Sequence, residues 1–268
     1  LPPQMKLKDA ARKSIVACVS DFAAKGVRPI FGVVSLTIPK KLSRSNIENL
    51  AKGFQRGARE FKLKILGGDT NEGKELVITF SLFGTTKKIV NRSDAKTNDL
   101  IITSGSFGYT GAGLSILLKN KKFSKKFGTK AKNAVFKPKC RLLFGLKNKK
   151  YLSSSMDSSD GLSTTLNEMS SQSKKKFVIT SMPSENDVLE FAKSNKLNPN
   201  DLILNGGEEY EIVATTSKSN LTKVKNNARK HRIKIYEIGY VTKGRGVFYK
   251  KNGKFVRIKD GGWKHLKH

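Results

Sequence analysis

Four short acidic motifs stand out in a strongly basic chain: Asp21 in SDFAAKG, Asp69 in GGDT, Asp157 and Asp160 in MDSSDGL, and Glu208 and Glu209 in GGEEYE. The chain carries 21 Asp and Glu residues against 53 Lys and Arg, so acids placed beside glycine and serine are not background. Magnesium is a hard cation that takes carboxylate, water and phosphate oxygens. Glycines let backbone N–H groups approach phosphates without a side chain between them. Two carboxylates brought together repel by about 4 kcal/mol at 4 Å in a medium of effective dielectric 20, and a bound cation reverses that sign. Taken singly, each motif has a plain structural explanation. Asp160-Gly161 can cap a helix, Asp69 can end a turn, Gly206-Gly207 can be a loop and Asp21 a bend. Four together, each at an element boundary, point to magnesium–nucleotide chemistry.

Familiar nucleotide loops are missing. Residues 108–115, GYTGAGLS, approach the pattern G-x-x-x-x-G-K-S/T, but Leu114 stands where the phosphate-reaching lysine belongs. A dinucleotide fingerprint fails as well, because Ile116 takes the place of its third glycine. The stretch reads as a closely packed strand-to-helix turn.

The elements that must position the acids are legible in outline. Residues 8–24 carry a helical stripe of Ala11, Ile15, Val19, Phe22 and Ala23, closed by Gly26 and Pro29. Residues 30–36 read as a buried strand. Ser45 and Glu48 form a capping-box pair opening a helix that buries Ile47, Leu50, Phe54, Ala58 and Phe61. Residues 63–66 and 75–83 read as strands, with Gly67 ending the first. The polar stretch 91–98 is the expected boundary between domains 1–92 and 93–268. Beyond it, strands are expected at 99–103, 177–180, 211–214 and near 233–241. Helices are expected at 111–118, 141–146, about 160–170, 187–194 and 218–230. Residues 119–139 read as a mobile surface connection. Asn252-Gly253 between apolar runs signals a hairpin. Strands and helices mix in both halves, which gives an α/β (α+β) fold of two layered domains.

Composition narrows the class. The apolar runs are too short to span a bilayer, and the first residues, LPPQM, form no signal peptide. Cys18 and Cys140 lie far apart, outside any metal-ligand spacing, which fits a reducing cytoplasmic setting. The formal net charge of +32 would suit a nucleic acid. The lysines are spread through every segment without an aromatic-interleaved basic run, so a nucleic-acid partner is not expected.

In this order, the motifs resemble the thiamine-monophosphate kinase family, part of a superfamily of ATP-binding proteins with aminoimidazole ribonucleotide synthetase, selenophosphate synthetase and a hydrogenase-maturation protein. SDFAAKGVRP, GGDT, RSDAKTND, MDSSDGL, GGEEYE and GGWKHL carry the resemblance across nearly the whole chain. It implies an N-terminal α/β domain that dimerises through its sheet and a C-terminal α/β domain closing over it. It implies phosphorylation of thiamine monophosphate by ATP with several magnesium ions. Asp21, Asp69, Asp157 and Asp160 would hold the metal. Gly68, Asp69, Arg92 and Ser159 would contact ATP, and Glu208 and Trp263 the thiamine moiety. No acid–base residue is needed, because the accepting phosphate is already mostly deprotonated; His231, His265 and His268 need no catalytic role. Glu209 stands where the family has Asp. Family members begin with a segment bearing a Gly-Asp-Asp-Ala-type motif and a later Thr-Asp pair, so the chain is expected to lack that first segment. Two alternatives are another enzyme of the superfamily with a different acceptor, and a basic non-catalytic nucleic-acid-binding protein.

Overall fold

A computed structural model describes residues 1–263, so the end of GGWKHL and the histidines at 265 and 268 lie outside the described residues. The first part of the chain runs α1 (Leu7–Lys25), β1 (Arg28–Pro39), α2 (Arg44–Phe61), β2 (Lys64–Gly73) and β3 (Val77–Thr85). Among the described residues these strands form a three-stranded sheet, β2-β1-β3, parallel between β1 and β2 and antiparallel between β1 and β3. The second part begins with β4 (Leu100–Thr103), α3 (Tyr109–Lys119), α4 (Lys125–Phe136), α5 (Leu142–Asn148) and β5 (Ser154–Asp157). It continues through α6 (Leu162–Ser173), β6 (Lys176–Ile179), α7 (Asn186–Ser194), α8 (Pro199–Asn205) and β7 (Ile212–Thr216). It closes with α9 (Lys218–Lys230), β8 (Tyr236–Thr242), β9 (Gly246–Lys251) and β10 (Lys254–Arg257). Its seven-stranded sheet has the order β10-β9-β6-β8-β4-β7-β5 among the described residues. No helix among the described residues is long and apolar enough to cross a membrane.

Helix α1 is the keystone. The stripe of Ala11, Ile15, Val19 and Ala23 is buried as expected, but so are Val16 and Ala24 on other faces. The reason is that α1 is packed from two sides. One core joins it to Leu50 and Phe54 of α2 and Phe80 of β3, and also to Phe144 of α5 and Ile212 and Ala214 of β7. Fully burying each Ile or Val contributes about 1.5–3 kcal/mol. The enclosure also traps Asp9, Arg12, Lys13 and Ser20, all buried, and each polar group there needs a partner. A second core sets Leu162, Leu166 and Met169 of α6 against Phe177, Val213, Ile238 and Val247 of the large sheet.

Several expectations are corrected. The second helix is capped by Ser43, whose hydroxyl accepts the Asn46 N–H, so Ser45 and Glu48 lie inside it. Ile47 is 42% exposed, outside the buried stripe. β1 is not buried throughout: Ile30 and Val33 are exposed, at 44% and 37%. β2 does not stop at Gly67 but runs on through GGDT, because β1 is long enough to pair with it as far as Pro39. The basic stretch 119–139 holds α4, which buries Phe127, Ala131 and Val135. Periodic apolar residues won over the charge run that masks them. Asp160 does not cap α6; Gly161 occupies that position at φ 114. α8 and β5 were not expected at all. The hairpin is present, with Asn252 at φ 48 and Gly253 at φ 77, a two-residue turn with both centres left-handed.

Candidate active site

Three of the motifs meet through their backbones. β5 and β7 pair antiparallel, ending at Asp157 opposite Ile212. The pairing continues beyond the strands as Ser158 N–H to Glu211 O (2.9 Å), Tyr210 N–H to Ser158 O (3.0 Å) and Glu208 N–H to Ser159 O (2.6 Å). MDSSDG and GGEEYE are therefore two sides of one ladder. The GGW motif completes it, with Trp263 N–H donating to Asp160 O at 2.9 Å. Gly262 has to be glycine there, because a Cβ would lie 2.1 Å from that same carbonyl oxygen. Ser159, Asp160, Gly206, Gly207, Glu208 and Trp263 line a cavity of about 670 Å³, in the range of small-molecule sites.

Carboxylates gather beside this ladder. Asp157, at the end of β5, is 5% exposed and accepts the Ser20 hydroxyl of α1 at 2.8 Å. The neighbouring Asp21 comes within hydrogen-bonding reach of it. Burial, then the Asp21 charge, pushes the Asp157 carboxyl up to about 6. Asp21 is raised too: solvent reaches it, but the surrounding protein displaces water from its other side. The Asp157 hydrogen bond, Lys25 and Arg92 pull it back, while Asp160 repels it. Ser155 N–H donates to Asn91 O at 3.1 Å, holding the Arg92 segment beside β5. Two close carboxylates with only oxygen donors suit a hard cation.

Asp69 stands apart from this group. It lies on β2, exposed, opposite Ser35, and its carboxylate accepts Thr70 N–H (2.9 Å) and the Asn71 amide (2.7 Å). Among the described residues no group of three or more His, Cys, Asp or Glu side chains forms a metal cluster. Asp21 and Asp157 stand together and the Asp160 charge repels Asp21; among the described residues no such interaction joins Asp69 to them. Gly68 also has a structural reason, since a Cβ would sit 1.7 Å from the Val34 carbonyl oxygen.

Glu209 fills the start of the 108–115 turn from inside the protein. Its carboxylate accepts Gly108 N–H (2.7 Å) and Thr110 N–H (3.1 Å), taking the donors at the start of α3 that an anion would use. Burial raises this carboxyl to about 7 despite those bonds. Glu211 is held by Arg141 through two hydrogen bonds, one of them 2.7 Å, and by Ser104 Oγ at 2.7 Å. Glu208 points the other way, to Lys13 Nζ at 2.7 Å.

Comparison with known proteins now bears on these motifs. Residues 2–86 match the family AIR synthase related protein, N-terminal domain, and residues 96–251 match AIR synthase related protein, C-terminal domain. The thiamine-monophosphate kinase of Nitrosopumilus maritimus is 55% identical over 100% of this chain and 85% of its own length. The chain belongs to the thiamine-monophosphate kinase family. The Pyrococcus horikoshii thiamine-monophosphate kinase is 34% identical over 100% of this chain and 82% of its own. The structure of AaThiL complexed with AMPPCP and TMP superposes with a TM-score of 0.87 at 30% identity, covering 98% of this chain and 82% of that one.

Within this thiamine-monophosphate kinase fold, sequence reasoning missed Ser20, Lys13 and Arg141. Ser20 had a signal, as the residue directly before Asp21. Lys13 and Arg141 had none, because nothing in a chain of 53 Lys and Arg marks these two as packed against carboxylates.

Proposed function

We propose that the chain transfers the γ-phosphoryl group of ATP to the phosphate of thiamine monophosphate, giving thiamine diphosphate and ADP. The observation that carries this reading is the backbone ladder joining MDSSDG, GGEEYE and GGW beside the Asp21–Asp157 pair. The likeness to relatives bearing that activity in name supports the same acceptor.

Asp21, Asp157 and Asp160 would hold magnesium, which when bound supplies positive charge against the phosphates. Gly68 and Asp69 would approach the nucleotide from β2. Arg92 adds a guanidinium beside Asp21. Ser159 lines the cavity, and its hydroxyl would contact the nucleotide. Glu208 and Trp263 would face the cationic thiamine, the ring contributing roughly 0.5–2 kcal/mol. Phosphoryl transfer needs alignment and charge neutralisation more than a covalent nucleophile, so rigid elements are what the fold must provide. A division into 1–92 and 93–268 would fall in the stretch between Thr85, the end of the small sheet's last strand, and Leu100, the start of the large sheet's first. A homodimer would form on the small sheet, where Ile30, Val33, Leu66, Val77 and Phe83 are exposed. The reaction would take place in the cytoplasm.

The test is a one-pot incubation with ATP, magnesium and thiamine monophosphate, followed by chromatography for thiamine diphosphate. Parent protein forms it, and Asp160→Asn loses turnover by about 100-fold. Full turnover in Asp160→Asn would sink the site assignment.

A further inference from the structure

Lys13 is an unusual resident of α1. Its side chain is one-tenth exposed, and an ammonium in such a place requires partners. It has two: the Glu208 carboxylate (Oε2, 2.7 Å) and the Val135 carbonyl near the end of α4 (3.0 Å). Glu208 is constrained from its other side as well. Its backbone is left-handed at φ 61, which residues with long side chains rarely adopt, and its N–H is fixed to Ser159 O. The carboxylate thus hangs between a strained loop and a buried lysine. It lines the 670 Å³ cavity beside Asp160 and, with Lys13 and Tyr210, a second cavity of about 280 Å³. Among the described residues Oε1 of Glu208 makes no hydrogen bond, so one oxygen is anchored and the other is available.

We propose that Lys13 is a positioning residue for the acceptor: by anchoring Oε2 it aims Oε1 of Glu208 at the cationic part of thiamine monophosphate. This rests on the reading that Glu208 contacts the thiamine moiety. Arg12, the preceding residue, provides an internal control. It is equally buried and also reaches the end of α4, through Pro138 O, but its carboxylate partner is Glu60 of α2, which lines neither cavity. Both residues tie α1 to its surroundings; Lys13 alone does so through a residue of the cavity wall.

The test measures calorimetric affinity of the full chain for thiamine monophosphate and, separately, for magnesium–AMPPCP. Lys13→Met is expected to weaken thiamine monophosphate binding about tenfold and to leave nucleotide affinity within about twofold. Glu208→Gln is expected to give a similar loss, and the double variant no more than the larger single one, because both act through one group. Glu60→Gln breaks the comparable Arg12 pair and leaves both affinities unchanged. Should Lys13→Met fail to fold, Lys13→Gln keeps a donor toward Val135 and is expected to lose about threefold. Acceptor affinity unchanged in the lysine variants but weakened in Glu208→Gln overturns the role of Lys13 and leaves that of Glu208 standing. Unchanged affinity in Glu208→Gln overturns the reading beneath it. Equal weakening of nucleotide and acceptor reduces Lys13 to a structural clasp and also overturns the proposal.

Discussion

The Arg141–Glu211 pair is the place where stability and the site are most tightly joined. Glu211 is 6% exposed, and its carboxylate takes two hydrogen bonds from Arg141 and one from Ser104, whose own oxygen accepts Ile212 N–H at 2.7 Å. The Glu211 carbonyl also holds Ser158, next to Asp157. Arg141→Met strands a buried carboxylate with a single hydroxyl donor. Breaking one side of a buried pair costs about 3–5 kcal/mol. Arg141 retains some exposure, so water can relieve part of the loss, and about 3 kcal/mol is expected. At about 2–4 °C per kcal/mol for a chain of this size, the thermal midpoint should fall by about 6–12 °C. Adding Glu211→Gln removes the stranded charge and should recover more than half of the fall. The assay is differential scanning calorimetry of the parent, both single variants and the double variant. A midpoint for Arg141→Met within about 1 °C of the parent would refute the reasoning, as would a double variant no better than Arg141→Met.

Further expectations follow from the same geometry. Glu209, raised to about 7 from 4.5, binds its proton more tightly folded than unfolded. Its contribution is therefore complete below about pH 4.5 and is lost as pH rises through about 7, a change of about 3 kcal/mol. Glu209→Gln, which keeps the oxygen acceptor for Gly108 and Thr110, should flatten that part of the stability–pH curve, measured by urea titration. Asp157→Asn relieves the repulsion with Asp21 and should leave or raise the midpoint without cation, while abolishing the rise that magnesium–ATP gives the parent. Gly68→Ala places a methyl against Val34 O and should cost about 1–3 kcal/mol through displacement of β2, visible as faster amide exchange along β1 and β2.

What the sequence revealed depended on local physics. α9 matches its expected bounds of 218–230, and the Asn252-Gly253 hairpin is present, because periodicity and turn chemistry act within a few residues. α4 stayed hidden because surface lysines interrupt Phe127, Ala131 and Val135. β5 was missed because serines fill a four-residue strand whose pairing with β7 is a tertiary fact. The acidic motifs were found by type. That two of them join with the GGW motif through one ladder while Asp69 stands apart on β2 depends on strand pairing between distant segments, which spacing does not encode.

Following the γ-phosphate itself tests the central claim most directly. With γ-labelled ATP, magnesium and thiamine monophosphate, the account predicts label in thiamine diphosphate, matched one for one by ADP and stopped by a chelator. Label released only as inorganic phosphate, or ATP left intact, would contradict it.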